Sequence, residues 1–119
     1  MEFVNRVELL GVVGKVNRQR VSAENGETKE VIRFSLVTEA STKDDDGHAV
    51  IDVTWFNCIA WGAVDAFDHA QKGMVARVHG RLRRVKYINI AGVEHEMYEV
   101  LCSEVTFSES NGMVQPMEG

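Results

Sequence analysis

The chain has 119 residues, 45% hydrophobic and 26% charged, a length and balance that suit one globular domain and exclude a low-complexity or collagen-like chain. Its formal net charge is −5, so any site for a polyanion must be a local feature set against an acidic whole. The N-terminus lacks the basic-then-apolar layout of a secretory signal, and no apolar run approaches the length of a membrane span, so the expected location is the cytoplasm. Cys58 and Cys102 are isolated, without a CxxC spacing, and read as small buried hydrophobes rather than a disulfide or a ligand pair.

Strand patterns then run through the chain in order. "VELLGVVGKV" (Val7–Val16) is β-branched and apolar, with Gly11 and Gly14 as bend or bulge points. "AENGET" (Ala23–Thr28) holds an Asn-Gly hairpin signal. "VIRFSLVTE" (Val31–Glu39) alternates, placing Ile32, Phe34 and Leu36 on one face and Arg33 and Ser35 on the other. After a polar loop at Ser41–His48 comes "DVTWFNCIAW" (Asp52–Trp61). There Phe56, Cys58 and Ala60 share one face, and Trp55, Asn57, Ile59 and Trp61 the other. Ala63, Ala66, Phe67 and Ala70 fall at helical spacing before Gly73, which predicts a short helix. "MVARVHGRLRR" (Met74–Arg84) alternates again. An extended hairpin turning near Ala91-Gly92 leads into a last strand at Tyr98–Phe107. The expected fold is therefore all-β: an OB-fold, a five-stranded Greek-key barrel with a short helix between the third and fourth strands. We expect one domain over residues 1–107 and a flexible tail over 108–119, which carries the only proline, Pro116.

The charge is unevenly spread. From Gln71 to Val93 there is no Asp or Glu, while Lys72, Arg77, Arg81, Arg83, Arg84 and Lys86 give the window +6 and leave the rest of the chain at −11. A solvated sheet face usually mixes signs, so a purely cationic strand points to a polyanion. Alternation puts Arg77, Arg81 and Arg83 on one face, with Tyr87 continuing it.

Trp55 and Trp61 are an even number of residues apart and share the face opposite the apolar one, about 20 Å from each other along an extended strand. Rings beside a positive groove are how single strands are held, with cations tracking phosphates and rings stacking on bases. The candidate DNA-binding set is Trp55, Trp61, Tyr87, Arg77, Arg81, Arg83, Arg84, Lys86, Arg33 and Asn57.

Patterns that look catalytic fail on inspection. "GVVGK" (Gly11–Lys15) lacks the first glycine of a phosphate loop and has Val16 where Ser or Thr should bind magnesium. "HEMYE" (His95–Glu99) begins like a zinc-protease motif and ends in Glu99, and "KDDDG" (Lys43–Gly47) lacks the spacing of a calcium loop. The expectation is a non-enzymatic chain with no catalytic residue, cofactor or metal.

These segments resemble the bacterial single-stranded DNA-binding proteins. The resemblance rests on "NRVELLGVVGKV", "RFSLVTE", "TWFNCIAWG" and "KGMVARVHGRL" followed by "Y…G…YEV", in order, over about Asn5 to Val105. It implies an OB-fold, usually a homotetramer, that wraps single-stranded DNA without reading sequence and protects it in replication, recombination or repair. It implies base stacking by Trp55, Trp61 and Tyr87. Two features depart from the family pattern: no aromatic lies near Ala40 to Thr42, and Asn57 stands where a basic residue is common. The ending "VQPMEG" reads as a short form without the acidic C-terminal tip that recruits other enzymes. The alternative is a module like primosomal replication protein N, a dimer acting mainly through protein partners.

Overall fold

A computed structural model describes residues 1–109. Five strands account for nearly all of it: β1 (Val7–Ser22), β2 (Thr28–Lys43), β3 (Ala49–Ala63), β4 (Val75–Ile88) and β5 (Glu94–Ser108). They close into a barrel in the order β1-β2-β3-β5-β4, with β4 returning to pair with β1. All neighbours are antiparallel except β3 and β5, which meet in parallel over only Cys58↔Val100 and Ile59↔Leu101. This is the expected five-stranded barrel. Among the described residues the chain has no helix long and apolar enough to cross a membrane.

Each strand is longer than its sequence pattern indicated, because alternation of apolar and polar residues is visible only where one face is buried. β2 and β3 stay paired from Lys29↔Ala63 out to Lys43↔Ala49, where Val50, Ile51 and Val53 are exposed. β4 and β5 pair out to Ile88↔Glu94 and form the extended hairpin expected there. These two arms stretch the molecule to 58 × 40 × 39 Å. The hairpins turn where glycine supplies a left-handed residue: Gly26 (φ 84°) after Asn25, Gly47 (φ 83°) and Gly92 (φ 79°).

Inside the barrel, Ile32, Phe34 and Leu36 of β2 meet Cys58 and Ala60 of β3, Ala76 and Val78 of β4, Val100 of β5 and Val13 of β1. Phe107 meets Phe34 edge-on, centroids 5.3 Å apart. Two irregularities shape the barrel. In β1 the register slips between Val13 and Val16, around the predicted bend at Gly14. In β5 Ser103 is an extra residue, since His79 faces Glu104 while Gly80 faces Cys102. That bulge reverses the inward parity of β5, from Val100 and Cys102 to Val105 and Phe107. Leu82, which alternation along Met74–Arg84 puts on the same face as Ala76 and Val78, is exposed, because β4 has by then left the barrel for the arm.

The short helix is corrected. Between β3 and β4 the chain makes successive turns, with the N–H groups of Ala66, Asp68 and Ala70 donating to the carbonyls of Ala63, Asp65 and Phe67. Asp65 is left-handed (φ 69°), which no right-handed helix accommodates. The turns are instead held from outside. The buried carboxylate of Glu30 accepts from the Phe67 N–H (3.1 Å), Arg18 donates to the carbonyls of Asp68 and Ala70, and Arg20 pairs with Asp65 (2.7 Å). Phe67 and Ala70 still cap the core, whereas Ala63 and Ala66 are exposed. A run of three-residue turns and a helix leave similar apolar spacings in sequence, so the pattern could not separate them. β5 ends at Ser108, and beyond Glu109 the expected tail lies outside the described residues.

Candidate nucleic-acid interface

Between the barrel wall and the β4–β5 arm lies an open groove of about 1040 Å³. One rim is the irregular stretch of β1 from Gly14 to Asn17 together with Gln71 and Lys72 of the turns. Its floor carries Arg33 and Ser35 of β2 and Asn57 of β3, and the arm supplies Val85, Tyr87, Met97 and Glu99. Arg33, Asn57 and Tyr87 of the sequence-derived set meet here.

Trp55 stands at the edge of this groove and is 58% exposed. Its indole covers Gly14. A Cβ at Gly14 would lie 2.7 Å from Trp55 Cζ3 and 2.5 Å from Ser35 Oγ, so only glycine leaves the ring that position. Ser35 Oγ in turn accepts from the Lys15 N–H at 2.8 Å. A solvent-facing indole seated on backbone is a surface a nucleic-acid base can stack on. Tyr87, 47% exposed, is stacked on His95 with centroids 5.3 Å apart and planes at 18°. Trp61 is also exposed, but six residues further along β3, beside Thr28 and Lys29 in a separate cleft. Ile59 lies between the two tryptophans on the same strand face, and contrary to simple alternation it is buried. It sits where β3 meets β5, in register with Leu101.

The cationic strand divides between two faces. Arg83 and Tyr87 face the groove side with Glu99 and His95 opposite, whereas Arg84 and Lys86 lie on the reverse of the arm and pair with Glu96 (3.7 Å) and Glu94 (3.5 Å). Arg77 pairs with Glu8 at 3.8 Å. Arg81 lines a smaller cleft with Asn5, Arg6 and His79, and among the described residues it has no carboxylate partner.

Glu99 is the residue sequence reading missed. It is 3% exposed, and both its oxygens are taken: Oε1 by Nε (2.8 Å) and Nη2 (2.6 Å) of Arg83, Oε2 by Nη1 of Arg33 (3.0 Å). The signal was present. An antiparallel hairpin turning about Ala91 mirrors Arg83 onto Glu99, and the chain's charges are arranged accordingly. Lys72 was counted in the cationic window but, like Lys15, left out of the candidate set, because only the fold brings the β1 rim and the turns to the groove.

Other clusters are structural. Asp44, Asp46 and His48 come together on the β2–β3 turn, but Asp44 Oδ1 accepts from the backbone N–H groups of Asp46 (3.0 Å) and His48 (2.8 Å), which is how the turn is held. Glu30, Asp65 and Asp68 also approach one another, with Glu30 and Asp65 engaged as described above. Cys58 and Cys102 are free thiols. The hydrogen bond that the Cys58 thiol donates to Cys102, and then burial, push Cys58 far above its ordinary range, and the same hydrogen bond moves Cys102 down.

Comparison with known proteins gives the same frame. Residues 4–108 match the model of the single-strand binding protein family. Single-stranded DNA-binding protein 1 of Chlorobaculum tepidum is 26% identical over 105 residues, covering 86% of this chain and 63% of that protein. The single-stranded DNA-binding protein of Neisseria meningitidis serogroup A is 29% identical over 104 residues, covering 86% of this chain and 58% of that one. The chain thus spans about three-fifths of the length of these curated relatives. Among solved structures, a Plasmodium falciparum SSB in complex with ssDNA superposes with a TM-score of 0.75 at 21% identity, covering 92% of this chain and 98% of that one. A deletion mutant of the Thermus aquaticus single-stranded DNA binding protein gives 0.72 at 17% identity, covering 92% and 52%. With the matched segment running through all five strands of the barrel, the chain belongs to the single-strand binding protein family.

Proposed function

We propose that this protein binds single-stranded DNA without reading its sequence, and protects it during replication, recombination or repair, as a non-enzymatic protein of the cytoplasm. The observation that carries the reading is Trp55: an indole 58% exposed, seated on Gly14 at the edge of a groove that holds Lys15, Lys72, Arg33 and Tyr87. Rings and cations along one channel suit any base sequence, since every base has a π-face and every nucleotide a phosphate. The domain is the barrel, residues 1–107, and we assign Trp61, Arg77, Arg81, Arg84, Lys86 and Asn57 to the path of the strand around it, with Arg83, bound to Glu99, in the groove's lining.

The test is titration with poly-dT followed by tryptophan emission. Binding should quench it, and Trp55→Ala should weaken binding by about 1–3 kcal/mol, the cost of one lost base stack. Unchanged affinity in a folded Trp55→Ala variant would remove that residue from the site.

The same reading includes self-association into a homotetramer. Over Val7–Gly11 β1 is paired only with β4, and Leu10, Leu82 and Tyr98 are exposed, which leaves apolar surface for further copies to cover. Light scattering should give a mass above the monomer's 13.3 kDa at micromolar concentration. A monomer there would contradict it.

A further inference from the structure

The cations around the groove differ in what they are already doing. Arg33 and Arg83 are bound to Glu99, a carboxylate that is 3% exposed and, among the described residues, has no other partner for its charge. Withdrawing either guanidinium leaves Glu99 less compensated in a site water barely reaches, so these contacts are costly to exchange for a phosphate. Lys15 and Lys72 line the same groove, are exposed, and among the described residues have no carboxylate within ion-pair distance.

They are also held close together. The turn carrying Lys72 is tied to β1 by Gly73 N–H to the Val13 carbonyl and Val13 N–H to the Met74 carbonyl, both 2.8 Å. Lys15 follows Gly14, on which the Trp55 indole rests. Both lysines therefore stand on the β1 rim, facing the arm that carries Tyr87. An ammonium on a four-carbon stem suits phosphates whose position shifts along a mobile strand, whereas a fixed guanidinium fork suits a fixed carboxylate.

We propose that Lys15 and Lys72, rather than Arg33 and Arg83, contact the phosphates of the strand in this groove, and that Glu99 holds the two arginines as part of its floor. This rests on the reading of the protein as a single-strand binder and names which of its cations do the work.

The experiment is a salt series of poly-dT affinity on wild type, Lys15→Gln, Lys72→Gln and Arg33→Gln, each checked for folding by circular dichroism. Each phosphate contact on a single strand contributes about 0.7 to the slope of log affinity against log salt. Each lysine variant should flatten the slope by about that much, so that a tenfold drop in salt separates it from wild type by about fivefold. Arg33→Gln should change the slope by less than half as much. An Arg33→Gln slope as flat as the lysine variants', or lysine variants that keep the wild-type slope, would overturn the assignment. Wild type that fails to bind poly-dT would instead overturn the single-strand reading beneath it. Among the described residues the lysine side chains make no hydrogen bond or ion pair, so their variants decide the matter even if Arg33→Gln does not fold.

Discussion

Gly14→Ala isolates what the floor beneath Trp55 does. Gly14 is not in the left-handed region, so alanine meets no backbone strain there, and its stiffer unfolded chain favours folding by about 0.4–1 kcal/mol. Against this, the new methyl would sit 2.5 Å from Ser35 Oγ and 2.7 Å from Trp55 Cζ3, both of which must retreat by roughly an ångström to ordinary contact distance. Displacing Ser35 weakens its bond to the Lys15 N–H, about 1 kcal/mol, and overpacking adds about 1–3 kcal/mol, less here because a half-exposed indole can swing outward. The net is a loss of about 1–2 kcal/mol of stability, read as a lower urea midpoint with an unchanged m-value. Binding should suffer for a separate reason. An indole pushed off its seat stacks less well, and losing about a third to a half of a 1–3 kcal/mol stack weakens poly-dT by roughly two- to twelvefold. A double-mutant cycle separates this from general damage. If Gly14 acts through the ring, Gly14→Ala should cost no further affinity once Trp55 is alanine. An equal loss of affinity in both backgrounds would refute the reasoning, as would unaltered tryptophan emission and affinity in the single variant.

Gly80→Ala should be far worse than Gly14→Ala, because its methyl would lie 2.2 Å from the Leu101 carbonyl oxygen, backbone that cannot swing aside; we expect a loss of about 3 kcal/mol or more and a melting temperature at least about 10 °C lower by calorimetry. The raised Cys58 thiol gives a pH dependence. Its share of stability is complete below the unfolded value of 9.0 and is lost as pH rises above it, so denaturant midpoints should fall between about pH 9 and 11, and less steeply in Cys58→Ala. An identical alkaline decline in the variant would assign the effect to other groups.

How much of this was legible depends on whether a residue's partner lies in its own segment. The inward faces of β2 and β3 and the two exposed tryptophans were readable because a strand repeats every two residues and each strand supplies both of its faces. The Asn25-Gly26 turn was readable because its chemistry is local. The turns at 63–74 were misread as a helix because their stabilising partners, Glu30, Arg18 and Arg20, come from other strands.

The cationic strand is the instructive case. Its sign pattern was correctly seen as unusual, but charge within one strand says nothing about charge across the ladder. Antiparallel pairing with β5 lays Glu94, Glu96 and Glu99 against Lys86, Arg84 and Arg83, so much of the apparent excess is spent holding the arm together. The exposed diagonal pairs at 3.5 and 3.7 Å are worth little and can yield to a polyanion, and Glu99, buried between two guanidiniums, does not yield so easily. On the assignment proposed above, what a phosphate meets in the groove is set by the cations left over from such pairing, Lys15 of β1 and Lys72 of the turns, whereas their neighbours Arg18 and Arg20 are engaged in holding the turns. A polyanion site of this kind is therefore legible only after the strand register is known.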